Sequence, residues 1–88
     1  MARAAYVTVR TDVVVLETPF SESFVTELKE KTTTRKWDPD LKIWTVDLSE
    51  KRAAIAIVRK HFGRAYLLEG AVTTDLRTGE SREQATLF

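Results

Sequence analysis

The chain has 88 residues with a mass of 10.0 kDa, which is enough for one domain. Its 14 basic and 13 acidic residues give a net charge of +1, and its 43% hydrophobic and 31% charged residues are typical of a soluble globular domain. The sequence contains no apolar run near the roughly 18 residues of a membrane span, no signal-peptide pattern and no cysteine. We therefore expect a cytoplasmic protein without disulfides, and its small size favours binding at the surface over catalysis in a deep pocket.

The charge is unevenly distributed along the chain. Residues 1–64 contain 12 basic and 9 acidic residues, a net charge of +3, whereas residues 65–88 contain 2 and 4, a net charge of −2. Residues 73–85 are polar and lack aromatic side chains. We therefore predict a folded domain over residues 1–71 and a flexible tail over residues 72–88.

The first half of the domain has the pattern of a hairpin followed by a helix. Residues 5–10 alternate between apolar and polar side chains, and residues 13–17 are mainly β-branched, so both segments are predicted strands. Pro19 ends the second strand. The hydroxyl of Ser21 can cap a helix whose apolar face begins at Phe24.

The second half repeats this order. The Asp-Pro-Asp sequence at residues 38–40 favours a tight turn, and residues 42–47 alternate as a strand does. Asp47 and Glu50 have the spacing of a capping box at the start of a helix predicted over residues 48–62.

These elements predict an α+β fold with the order β-β-α-β-β-α. We expect one antiparallel sheet with both helices packed on one face, followed by the flexible C-terminal tail. The sequence shows no phosphate-binding loop, nucleophile motif, metal-ligand cluster or paired acid and base, so we expect neither catalytic residues nor a cofactor or metal.

The second predicted hairpin carries the most distinctive motif of the domain. The run Arg35-Lys36-Trp37-Asp38-Pro39, followed by Lys42-x-Trp44 and flanked by the two helices, resembles the HARP domain of annealing helicases and the related damage-recognition domain of nucleotide-excision-repair helicases. The resemblance covers roughly residues 5–62. It implies contact with branched or damaged DNA through Arg35, Lys36, Trp37, Lys42 and Trp44. The helicase motor that accompanies these modules is absent from this chain.

Other residues leave alternatives open. Arg52, Arg59 and Lys60 on the second helix could extend a phosphate-binding surface or form an ordinary solvated face. The side chains of Trp37 and Trp44 could stack on bases or pack against each other in the core.

The last five residues form a second, independent motif. Gln84-Ala85-Thr86-Leu87-Phe88 resembles the Q-x-x-L-F peptide by which bacterial polymerases and repair proteins bind the sliding clamp. The resemblance implies clamp contacts by Gln84, Leu87 and Phe88, and Ala85 stands where the family often has Leu. The alternative is that Leu87 and Phe88 fold back on the domain.

Together these patterns predict a small non-enzymatic accessory protein of DNA replication or repair, of the kind carried by phages or mobile elements. In this hypothesis the tail binds the bacterial sliding clamp, the domain contacts DNA weakly, and no membrane is involved. One alternative is a stand-alone HARP-like module for single-stranded or forked DNA. The other is a protein-interaction adaptor or inhibitor.

Overall fold

The computed structural model describes residues 4–83 of the chain. Within this range neither helix is long and apolar enough to cross a membrane. The described residues form seven strands and two α-helices in the order β1 (Ala5–Val9), β2 (Val13–Glu17), α1 (Glu22–Lys31), β3 (Lys36–Asp38), β4 (Ile43–Asp47), α2 (Lys51–His61), β5 (Ala65–Glu69), β6 (Val72–Asp75) and β7 (Ser81–Glu83).

Short polar side chains cap the N-terminal ends of the two helical regions, as the sequence predicts. The hydroxyl of Ser21 accepts a hydrogen bond from the Phe24 backbone N–H at 3.3 Å and caps α1. A 3₁₀ turn over Leu48–Glu50 precedes α2, and the Asp47 carboxylate accepts from the Ser49 N–H at 2.9 Å. The second helical region therefore begins at the predicted place, but its α-helical part begins at Lys51.

The predicted capping box is wrong for Glu50, because its carboxylate does not accept a hydrogen bond from the Asp47 backbone N–H. The Glu50 carboxylate instead accepts hydrogen bonds from the backbone N–H groups of Thr33 and Thr34, at 3.0 and 2.9 Å, and from the Thr34 hydroxyl. These bonds lower the pKa of Glu50, with the Thr34 hydroxyl as the largest cause. Glu50 thus fastens the start of α2 to the segment that follows α1.

The fold is α+β, and the elements up to α2 follow the predicted β-β-α-β-β-α order, but three further strands follow α2 and the sheet is mixed and not antiparallel throughout. The sheet has the strand order β3-β4-β2-β1-β5-β6-β7. All neighbours are antiparallel except β1 and β5, which run parallel with Val7 opposite Leu67. The parallel pair arises because α2 crosses over the sheet between β4 and β5, and such a crossover returns the chain in the same direction.

Residues 72–83, predicted as part of a flexible tail, add two strands at the β5 side of the sheet. The pairing of β6 with β7 is accompanied by a contact of 2.9 Å between the Thr74 and Ser81 hydroxyls. Leu76 in the connecting turn is buried in the core, and Gly79 adopts a φ of 83°, which favours glycine. Backbone pairing and one buried leucine order this segment without an alternating apolar pattern.

The core lies between the two helices and one face of the sheet. The strand register aligns Leu67, Val7, Leu16, Trp44 and Trp37 in one row on the helix side of the sheet. The buried cluster on this side comprises Ala5, Val7, Val14, Leu16, Phe24, Leu28, Val46, Ala54, Ile57, Val58, Ala65 and Leu76.

We expect Phe24→Ala to lower the free energy of unfolding by about 3–5 kcal/mol, because the fully buried ring would leave a cavity. Phe20→Ala is the matched control: its ring is 88% exposed, so we expect a change within about 0.5 kcal/mol. Urea unfolding of both variants measures the difference, and equal losses would contradict this placement of the core.

Candidate nucleic-acid interface

An open groove lies between the start of α1 and the β3–β4 hairpin, on the helix side of the sheet. Its volume is about 820 Å³. Three exposed apolar side chains contribute to it: Phe20 at 88% exposure, Leu41 at 68% and Trp37 at 48%. The lining residues are Glu17, Thr18, Pro19, Phe20, Ser21, Phe24, Val25, Lys29, Trp37, Leu41, Lys42 and Trp44. Clustered exposed apolar groups are a common feature of binding surfaces, so this groove is the candidate site.

The two tryptophans form a cross-strand pair at the sheet edge of the groove. Trp37 and Trp44 lie directly opposite each other in the β3–β4 register, with ring centroids 5.1 Å apart and ring planes at 49°. Trp44 is half-buried and packs against the core, whereas about half of Trp37 is exposed. Trp44 therefore anchors the hairpin against the core, as the packing interpretation predicts, and Trp37 presents an accessible aromatic surface.

The hairpin turn places a cation beside this surface. The Asp38 carboxylate accepts hydrogen bonds from the backbone N–H groups of Asp40 and Leu41, at 2.9 and 3.0 Å, as the predicted turn chemistry requires. Lys42 then adopts a φ of 56°, in the left-handed region that costs a non-glycine residue about 1–2 kcal/mol. The exposed Lys42 thus enters the groove lining from the end of the turn.

Sequence reasoning predicted Trp37, Lys42 and Trp44 among the twelve lining residues, and the exposed residues Phe20, Leu41 and Lys29 are the most informative of those that it missed. Phe20 follows Pro19, Leu41 follows the Asp-Pro-Asp turn, and both side chains are exposed. The sequence shows these apolar residues near chain reversals but does not indicate that they share one site. Lys29 lies one helical turn after Val25 on α1, so both side chains face the groove. With Lys42 it gives the groove two cations against the single carboxylate of Glu17.

The structure brings Trp37, Lys42 and Trp44 together and separates them from the other hairpin candidates. Lys36 precedes Trp37 in β3, and because neighbouring strand residues point to opposite faces, its side chain lies on the face without helices. The Arg35 guanidinium is half-buried and donates to the Thr32 carbonyl at 2.5 Å.

The candidates on α2 are spread along the helix. Arg52 and Arg59 are exposed near its two ends. Lys60 forms an ion pair with the Glu27 carboxylate of α1 at 3.0 Å. These three side chains therefore lie outside the groove.

The candidate clamp-binding residues Gln84, Leu87 and Phe88 lie outside the described residues. The described part ends with Glu83, the last residue of β7 at one edge of the sheet.

A polar cluster joins the two helices behind the groove. The Glu27 carboxylate lies 2.8 Å from His61 Nε2 and 3.0 Å from Lys60 Nζ. These contacts lower the pKa of Glu27, the His61 hydrogen bond being the largest cause and the Lys60 hydrogen bond the next. The Phe24 ring, which lines the groove, contacts the His61 ring edge-on at 6.2 Å between centroids. The cluster therefore holds α1 against the end of α2.

Comparison of the chain with protein-family models, with curated proteins and with solved structures finds no match. Among residues 4–83, no three His, Asp or Glu side chains are grouped so that they could hold a metal ion. The groove is therefore the feature of residues 4–83 that bears most directly on function.

We expect Glu27→Gln to weaken the acid dependence of stability. Because the pKa of Glu27 is lower in the folded protein than its ordinary value of about 4.5, the carboxylate stabilises the fold above that pH. This stabilisation is lost as the pH falls through the lower folded-state pKa. The variant should unfold more easily near neutral pH and lose less stability below pH 4.5.

Urea unfolding across this pH range measures the effect. Glu30→Gln removes the same charge from an exposed position on the same helix and serves as the control. Identical acid profiles for wild type and Glu27→Gln would contradict the role of the cluster.

Proposed function

We propose that this protein is a non-enzymatic accessory protein of DNA replication or repair. Its α+β domain contacts single-stranded or forked DNA at the groove, and its C-terminal peptide binds the bacterial sliding clamp. The observation that carries the DNA part is the half-exposed Trp37 ring, backed by Trp44 and bordered by Lys42.

The groove suits unstacked bases. Bases of any sequence stack on accessible aromatic rings, and Phe20 and Leu41 supply further apolar surface around Trp37. In duplex DNA the base faces are covered by their neighbours, so this mode of binding favours single-stranded segments and forks. The resemblance of the hairpin to HARP domains supports the same class of ligand.

The charge supports weak, salt-sensitive binding. Lys29 and Lys42 are the cations of the groove, and residues 1–64 carry a net charge of only +3. Each phosphate contact by such a cation releases counterions, so affinity falls as the salt concentration rises. Strong DNA binding by the domain alone is not expected from this charge.

The clamp peptide compensates for weak DNA affinity. Burial of the Leu87 and Phe88 side chains in a partner pocket would contribute about 3–6 kcal/mol before the cost of ordering, and the Gln84 amide can fix the register by hydrogen bonds. A domain tethered to the clamp meets DNA at a raised local concentration.

We expect Trp37→Ala to weaken binding of a labelled single-stranded oligonucleotide by about 5- to 150-fold, which corresponds to the roughly 1–3 kcal/mol of one stacked base. Fluorescence anisotropy at low salt measures it. Tyr6→Ala is the matched control, because Tyr6 is an aromatic residue with 40% exposure on the face of the sheet that carries no helix. Lys42→Asn, which tolerates the left-handed backbone, should reduce the salt dependence.

Equal weakening by Trp37→Ala and Tyr6→Ala would place the DNA elsewhere than the groove. Absence of DNA binding at low salt would contradict the DNA part of the proposal. The apolar lining also fits an aromatic side chain of a protein partner, and Trp37-dependent binding of protein without DNA binding would favour the adaptor function.

We expect the intact chain to bind a purified bacterial sliding clamp with roughly micromolar affinity, and a chain ending at Glu83 to bind at least tenfold more weakly. Leu87→Ala together with Phe88→Ala should have the same effect as the truncation. Isothermal titration calorimetry measures all three. Equal clamp binding by the intact and shortened chains, or none by either, would contradict clamp recruitment.

A further inference from the structure

A second pocket lies on the far side of the helix pair from the β3–β4 hairpin, beside the end of α2. Its volume is about 210 Å³. The buried side chains of Ala65 and Leu76 and the half-buried ring of Phe62 form its apolar part. Two exposed arginines, Arg59 from α2 and Arg77 from the turn between β6 and β7, complete the lining with Gly63.

Two hydrogen bonds hold this pocket in shape. The Leu76 N–H donates to the Ala65 carbonyl at 2.9 Å, which fixes the turn after β6 to the start of β5. The Asp75 carboxylate accepts from the Arg77 backbone N–H at 2.8 Å and so sets the position of Arg77 in that turn. The pocket is therefore built on paired backbone and not on an isolated loop.

Neither guanidinium has an acidic partner among the described residues. The ion pairs of that part of the chain are Lys51–Glu69 and Lys60–Glu27, and His61 forms a hydrogen bond with the same Glu27 carboxylate. The Asp75 carboxylate is the acidic group nearest in sequence, and it accepts hydrogen bonds from the backbone N–H groups of Arg77 and Thr78. Two arginines that line one small pocket, without an acidic partner among the described side chains, supply several N–H donors of the kind that bind a tetrahedral anion.

We infer that Arg59 and Arg77 form a binding site for a phosphate group. The arrangement supplies charge and donors from two sides, and the apolar part of the pocket limits competing hydration. Phosphate groups reach such a site either as the backbone of a nucleic acid or as the free ion.

The position of the pocket favours the DNA backbone as the source, an inference that rests on the proposed function. Phe24 lines the groove and Phe62 lines the pocket, and their rings are 5.2 Å apart. This aromatic contact lies in the core between the two sites, which are on opposite flanks of the helix pair. A strand with bases in the groove that also crosses the helix pair can place one of its more distant phosphates between Arg59 and Arg77.

The first experiment uses the full chain and the single-stranded oligonucleotide. Arg59→Gln and Arg77→Gln should each weaken binding several-fold and reduce the slope of log affinity against log salt by about 0.7, the value of one lost phosphate contact on a single strand. Arg52→Gln is the matched control: it removes an exposed arginine from the same helix, two turns from Arg59 and outside the pocket.

The second experiment titrates inorganic phosphate and follows backbone amide signals by NMR. Wild type should show saturable shifts at Gly63, Ala65 and Arg77, and Arg77→Gln should lose them. Phosphate shifts without an effect of Arg59→Gln or Arg77→Gln on DNA binding would support the site and assign it to free phosphate.

Absence of phosphate shifts, together with unchanged DNA affinity and salt slope in both arginine variants, would overturn the site. In that case Trp37-dependent DNA binding would leave the proposed function intact. Conversely, if the chain binds no DNA, saturable phosphate shifts would still support the site.

Discussion

Two helices are too narrow to cover one face of a seven-stranded sheet. Seven strands about 4.8 Å apart span roughly 29 Å, whereas two packed helices whose axes lie about 8–10 Å apart cover roughly 20 Å. In this protein α1 and α2 hold each other through the Glu27–His61 and Phe24–Phe62 contacts. Both flanks of the helix pair therefore remain open, with the groove on one flank and the arginine pocket on the other.

The distribution of charge gives the two flanks different characters. The groove is mainly apolar and aromatic, so a ligand there gains most from contact with rings and little from ion pairing. The arginine pocket is small and carries two guanidinium groups, so it suits a compact anion. Among the other described cations, Lys60 is paired with Glu27, Lys51 is paired with Glu69, and Arg35 donates to the Thr32 carbonyl.

Features encoded within a few residues were predictable from the sequence. The Ser21 and Asp47 caps and the Asp38 turn each depend on hydrogen bonds to residues two or three positions away. The cross-strand pair of Trp37 and Trp44 follows from the same turn. The sequence of this hairpin also predicted Trp37, Lys42 and Trp44 as site residues, which are three of the four hairpin residues that line the groove.

Other features depend on tertiary contacts that leave no local signal. The parallel pairing of β1 with β5 joins residues 60 positions apart, and β6 consists of Val-Thr-Thr-Asp, which lacks an apolar alternation. Glu50 has a local capping partner in the sequence but takes a tertiary one. The positions of Phe20 and Lys29 in the groove depend on where α1 lies against the hairpin.

The two tryptophans of the groove are also the only two in the chain. All indole emission of the protein therefore originates from one place on its surface, and half of one of these rings is in contact with solvent. The colour and intensity of that emission depend on the surroundings of the ring. The molecule thus carries an intrinsic optical probe located in the groove, whereas the stacked Tyr6 and Tyr66 lie on the opposite face of the sheet.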